Sequence, residues 1–359
     1  MKFYDRCFNT ATSIVVSILS LMILCQGDAC AQEKAKLLAN APIAQLYAAA
    51  KKEGKVIIWG PTDLIVFQKA QEVFDKEYPG IKIEVFESLP DPLVQRLIAE
   101  SQAGKPSNVD LIQSGSMRGL RPLIERDMLS PYPGWETDFK LDTVYAGGRF
   151  AGAYNLSFPI CYNTKLVPAQ EAPKNWEDLL NPKWKGRKII VEARLVPFAM
   201  LGTEWGQDKA IEWTKKLMPQ EPILLQGGTT VGNALASGQA PIGVGTYGYT
   251  MEKLKKKGAP VDWVAVNPLL IITSALGVPK TAPHPNAARF FAGWLGKSEG
   301  QKILYEYSGN AMLMGRNAFG VEAEKIKAAG VRILLETDQN SAAIVSIQGE
   351  LGKLVGALR

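Results

Sequence analysis

The chain has 359 residues, 47% of them hydrophobic and 21% charged, with a formal net charge of +6. This composition excludes a disordered chain and a collagen-like fibre, and the length suffices for two domains. A single histidine and four cysteines, three of them within the first 30 residues, exclude a disulfide framework and a cysteine-built zinc site.

Lys2 and Arg6 open the chain as a basic segment, and the apolar run ATSIVVSILSLMIL follows over 11–24. That run is shorter than the ~20 apolar residues a membrane span needs. Ala29-Cys30-Ala31 then meets the small-x-small cleavage rule. Residues 1–31 read as a secretory signal peptide cut after Ala31, which places the mature protein in the periplasm. A lipoprotein cut at Cys25 or Cys30 is the alternative, with bulky Leu24 and acidic Asp28 against it. The signal carries Lys2 and Arg6 but also Asp5 and Asp28, so the mature chain keeps its charge of +6. That surplus mildly favours anionic ligands. Aromatic and basic residues do not interleave as nucleic-acid binding requires. Cys161, the one cysteine left, sits in the apolar stretch SFPICYN and is expected to be a buried, inert thiol.

From residue 41, APIAQLYAAAKKEG predicts an amphipathic helix stopped by Gly54. KVIIWG is a strand, PTDLIVFQKAQEVFDKEYPG a turn and helix, IKIEVFES a strand, LVQRLIAESQAGKP a helix and VDLIQSGS a strand. A helix resumes at MRGLRPLIERDML, completing a βαβαβ pattern of mostly parallel strands. GRFAGAYNLSFPICYN is a long extended segment, followed by helical NWEDLLNPKWKG and strand RKIIVEA. The chain continues with helix GQDKAIEWTKKLM, strand EPILLQGG, helix TTVGNALASGQ, strand APIGVGTYG and helix TMEKLKKKG. The basic run EKLKKKG suits the last turn of a solvated helix, where cations meet the negative end of the dipole. PVDWVAVNPLLIITSALGVP is a second long extended segment, and the tail is helical. Each long segment exceeds an ordinary strand of about 5–6 residues. A chain that leaves one α/β lobe for another and returns needs two such crossings. They predict a first lobe of 32–155 and 270–359, a second of 156–269, and a hinge of paired strands between them.

Several stretches occur in a telling order: LYAAAKKEGKVIIWG, VQRLIAESQAGKPSNVDLI, YNTKLVPAQEAPKNWEDLLNPKWKGRKIIV, APIGVGTYGYTMEKLKKKGAPVDWV and PKTAPHPNAARFFAGWLGKSEGQKIL. With the export signal, they make the chain resemble a periplasmic solute-binding protein of an ABC importer. The branch is extracellular solute-binding protein family 1, with its ferric-iron, phosphonate, sugar-phosphate and thiamine binders. The resemblance runs from about Ala41 to Gly315. It implies the type II two-lobed α/β fold, with a ligand cleft lined by strand carboxyl ends and helix N-termini. It also implies a monomer with no cofactor and no chemistry of its own, which hands its solute to a membrane permease. The ligand itself varies within the branch.

Candidate cleft residues lie at strand ends. Thr62, after the first strand, can cap a helix or meet an anion at its N-terminus. Trp59 beside it either flanks a ligand or belongs to the core. Ser114 and Ser116 form a small polar loop before a helix, with Arg118 in its first turn. Arg194, after the strand RKIIVEA, is a ligand contact or the ion-pair partner of Glu192. QGGTTVG combines a Gly-Gly turn with Thr229 and Thr230 at a helix start, the best anion-site signature in the chain.

Gly243, Gly245 and Gly248 match GxGxxG, yet Asp262 opens the following strand rather than ending it, so the dinucleotide reading fails. Tyr247 and Tyr249, two apart, would face one side of an extended segment and offer ring contacts or hydroxyls. Ferric-iron members of the branch carry adjacent tyrosines here, so the resemblance makes these two the iron ligands of an alternative reading. His284, in TAPHPNA, reads as a turn or cap residue. Neither GxSxG nor HExxH occurs, which leaves an exported enzyme as the weakest reading. The expectation is thus a binding protein for a small organic anion: a phosphonate, sugar phosphate or carboxylate.

Overall fold

The computed structural model describes residues 37–357. The signal peptide and its cleavage site lie outside these residues.

Helix α1 (Ala41–Glu53) begins at Asn40, whose side chain accepts the Ile43 N–H, and stops at Gly54, where φ is 76°. A left-handed C-cap of this kind costs glycine nothing. Strands β1 (Lys55–Gly60), β2 (Lys82–Glu87) and β3 (Leu111–Ser114) alternate with α2 (Leu64–Glu77), α3 (Pro90–Gln102) and α4 (Met117–Glu125). A short helix α5 (Gly134–Thr137) and strand β4 (Val144–Tyr145) lead into β5 (Phe150–Phe158).

Pro159 ends β5, and β6 (Ile160–Asn163) starts a second sheet. That sheet gains β7 (Ile189–Glu192), β8 (Ile223–Leu225), β9 (Ile242–Val244) and β10 (Val261–Val264). Its helices are α6 (Val196–Trp205), α7 (Gln207–Leu217), α8 (Gly228–Ala236) and α9 (Gly248–Lys256). Strand β11 (Leu269–Gly277) returns to the first sheet. Helices α10 (Pro285–Leu295), α11 (Ser298–Ser308) and α12 (Val321–Ala329), strand β12 (Ile333–Leu335) and helix α13 (Ser341–Ala357) follow.

Among the described residues there are two sheets. The first runs β2-β1-β3-β11-β5-β4, with β12 beside β11, and the second runs β10-β6-β9-β7-β8. β1 pairs in parallel with β2 and β3, as the βαβαβ pattern requires, whereas β11 runs antiparallel to β3 and β5. Both long extended segments break near their proline: one becomes β5 and β6, the other β10 and β11. β5 and β11 pair along nearly their whole length, from Leu270↔Phe158 to Leu276↔Ala151. The molecule has the two-lobed type II architecture, and this strand pair belongs to the first sheet, next to the points where the chain passes to the second and returns.

Aromatic packing anchors the first lobe. Phe74, Tyr78, Phe290, Phe291 and Trp294 form a chain of ring contacts 4.9–6.0 Å apart. Each fully buried side chain of this size contributes roughly 1.5–3 kcal/mol. Trp59 is buried in a separate cluster, with the Arg96 guanidinium 4.4 Å above its ring, so it is a core residue. Cys161 is fully buried and unpaired, and burial pushes its thiol well above its ordinary pKa.

Two elements absent from the sequence reading, α6 and β12, place the tail. α13 packs on α6 and α7 and also on α4. Just after β12, the buried Glu336 accepts the Arg118 backbone N–H and pairs with its guanidinium at 3.1 Å. Arg118 is therefore a tether of the tail.

Candidate functional site

β9 is shorter than the extended segment the sequence suggests. It ends at Val244, Gly245 turns at φ 84°, and helix α9 starts at Gly248. Tyr247 is the N-cap of α9 and Tyr249 lies in its first turn. The two rings still stack, 5.8 Å apart at 18°. A cap position and the second helical position bring them together, not strand alternation. Phe158 at the end of β5 backs Tyr247 at 5.2 Å.

A third phenol, missed from sequence, joins them. Tyr154 on β5 is 5% exposed and interacts electrostatically with both Tyr247 and Tyr249. It lies against the hydroxyls of Thr62 and Ser274. The Thr62 oxygen is sealed from solvent yet makes no well-formed hydrogen bond, and the same holds for Thr246 and Thr250 beside the tyrosine pair. Thr62 faces the Tyr154 phenol and Thr250 the Tyr249 phenol. Burial raises the pKa of all three tyrosines, that of Tyr249 to about 12.

On the second lobe, Arg194 follows β7. Burial works against its charge, but the Glu192 carboxylate and the Tyr247 phenol outweigh burial and raise its pKa. Glu192 is itself 2% exposed. One of its oxygens accepts Arg194 Nε at 2.8 Å and the Gly227 N–H at 3.1 Å, and the other accepts the Arg194 backbone N–H at 3.1 Å. Of the two expectations for Arg194, the structure displays the pairing with Glu192, and the half-exposed guanidinium also reaches Tyr247. Gly228 packs on the Tyr247 ring, where a Cβ would come within 2.8 Å. Thr229 and Thr230 follow it, exposed, in the first turn of α8.

The structure thus gathers Thr62, Arg194, Tyr247 and Tyr249 around Tyr154, with Thr229 and Thr230 next to them. Ser114 connects only through Ser274, which donates to its carbonyl at 2.9 Å. Ser116 holds the N-cap position of α4 without a side-chain capping bond, and the next residues turn to Glu336. His284 lies elsewhere. It caps α10, with Nδ1 2.9 Å from buried Asp110 at the start of β3, the end opposite Ser114. Its expected structural role is what the geometry displays. Among the described residues, no three His, Cys, Asp or Glu side chains gather as a metal site. The local charge is not positive: Glu192 cancels Arg194, and Asp63 adds an exposed carboxylate beside Tyr154 and Tyr249.

A family model described as bacterial extracellular solute-binding protein matches residues 69–312. An uncharacterized protein of Haemophilus influenzae is 29% identical over 157 residues, 40% of this chain and 43% of that protein. Iron uptake protein A1 of Synechocystis sp. is 26% identical over 250 residues, 64% of this chain and 68% of that protein. The chain therefore spans less than half of the first relative and about two thirds of the second.

Three solved structures share the fold. FutA of Trichodesmium with iron and citrate has a TM-score of 0.69 at 20% identity, covering 85% of this chain and 99% of that one. Iron-bound HitA of Pseudomonas aeruginosa has 0.67 at 20%, covering 83% and 99%. AfuA of Actinobacillus pleuropneumoniae with fructose-6-phosphate has 0.61 at 18%, covering 83% and 98%. No helix among the described residues is long and apolar enough to cross a membrane.

Proposed function

The chain belongs to the bacterial extracellular solute-binding proteins, and from that premise we propose that it is the substrate-binding component of an ABC importer with ferric ion as its cargo. The observation that carries the cargo is the convergence of Tyr154, Tyr247 and Tyr249 in surroundings that are not cationic. Phenolate oxygens are hard donors that suit a trivalent cation, and its charge would displace the phenol protons. Arg194 and Glu192 would orient Tyr247, and Thr62 would orient Tyr154. Tyr154 lies on β5 of the first sheet while Tyr247 and Tyr249 follow β9 of the second, so a bound ion would bridge the two. The iron-related names of the Synechocystis relative and of two of the solved structures support this reading.

Adding ferric salt to the purified protein should give a visible tyrosinate-to-iron charge-transfer band. Tyr247→Phe should weaken the band and lower affinity by at least about tenfold, the loss of one charge-assisted ligand bond. A colourless wild type at saturating ferric citrate would sink the iron reading. A second reading, a small organic anion, draws on the half-exposed Arg194 guanidinium and on Thr229 and Thr230. The fructose-6-phosphate complex of AfuA belongs to the same fold. Thermal stabilisation by a sugar phosphate or phosphonate, without ferric colour, would select it.

A further inference from the structure

The start of α8 has the parts of an anion seat. Its N-cap is Gly227, which has no side chain to satisfy the first-turn N–H groups, and Arg194 stands alongside. The seat is filled from within the chain. The Glu192 carboxylate takes the Gly227 N–H and two Arg194 donors, three bonds of 2.8–3.1 Å. An incoming phosphate or carboxylate would need these same donors.

The surrounding backbone packs closely on residue 192. Gly245 adopts φ 84°, and a Cβ there would come within 2.5 Å of Glu192 Cβ. On the other side, β7 ends in a tight turn with Leu195 at φ 57°, which folds Arg194 back onto Glu192.

We infer that Glu192 is a specificity-determining residue: a built-in anion that occupies the oxyanion seat of the cleft and repels free small oxyanions. This rests on the reading of the Tyr247 cleft as the ligand site. With Glu192 in place, an oxyanion meets a neutralised arginine and a like charge, and discrimination of this kind works by building a repulsive element against the wrong ligand. With an amide in its place, the like charge is gone and the positive charge of Arg194 is no longer neutralised.

The test measures inorganic phosphate and citrate by calorimetry and thermal shift on the wild type, Glu192→Gln and Glu192→Asp, with circular dichroism to verify folding. The expected result is weak or absent phosphate binding by the wild type and at least about tenfold tighter binding by Glu192→Gln, the scale of one removed like charge near the surface. The Asp variant, whose carboxylate is withdrawn by one methylene, should fall between and serves in place of Gln if Gln does not fold. Equal phosphate affinity in the wild type and a folded variant would overturn the inference. A wild type that binds phosphate tightly would do the same. Ferric titration of the wild type runs separately: lack of colour there removes the iron cargo and leaves the role of Glu192 to the phosphate arm.

Discussion

Glu322→Gln melts well above the wild type at about pH 9 and close to it at about pH 5. Glu322 on α12 is 5% exposed, and burial pushes its pKa from 4.5 up to about 8. Ser157 on β5 donates a short hydrogen bond to it. Gly248 of α9 closes over it so tightly that a Cβ would have no room. The charged groups around it are Glu252 on α9, which raises the pKa further, and Lys325 on its own helix, which lowers it. A carboxyl whose folded pKa lies above its unfolded value keeps its proton longer in the folded state. The folded chain therefore binds more protons between pH 4.5 and about 8, and stability falls as pH rises through that window. The full cost is on the order of 5 kcal/mol, at about 1.4 kcal/mol per unit. Glutamine has nothing to ionise and still accepts from Ser157. Thermal melts of both proteins across this range check the claim, and parallel profiles would refute it.

The second large effect is at Arg118. Arg118→Met should lower the free energy of unfolding by about 1–3 kcal/mol, because it takes the guanidinium from the fully buried Glu336, whose pKa burial already raises despite Arg118. The backbone N–H of residue 118 stays on one Glu336 oxygen in the variant, while the other oxygen has no hydrogen-bond partner. The double variant Arg118→Met, Glu336→Leu should recover most of that loss, since replacing a buried pair by apolar groups is often neutral. Urea unfolding of the two variants separates the cases. A single variant within about 1 kcal/mol of the wild type would mean that the pair is not a tether.

What the sequence makes legible depends on how local its cause is. Helix α1 and its Gly54 stop, the alternation of β1 to β3 with helices, and the two long crossings follow from periodicity and punctuation within a dozen residues. The Glu192–Arg194 pair is two residues long and was legible as one of two alternatives. Tyr154 was not, because YNLSF reads as ordinary strand alternation and only the fold brings it to the second lobe's tyrosines. The partner of Arg118 lies 218 residues away, so no window could reveal it. Helix α6 was hidden by VPFAML, which is apolar all round and gives no amphipathic stripe. The start of α9 at Gly248 is two residues earlier than the sequence suggests, because β-favouring residues run up to a helix start that lacks a side-chain cap.

β5 and β11 lie side by side in the first sheet, and the chain enters the second sheet at Pro159 and leaves it after Val264. The tail is fastened beside β12 by the Arg118–Glu336 pair and then packs as α13 on α6, α7 and α4. It is a third link between the helices that follow β7 and the helix that follows β3, so loosening Arg118 would be felt at α6 as well as at α4.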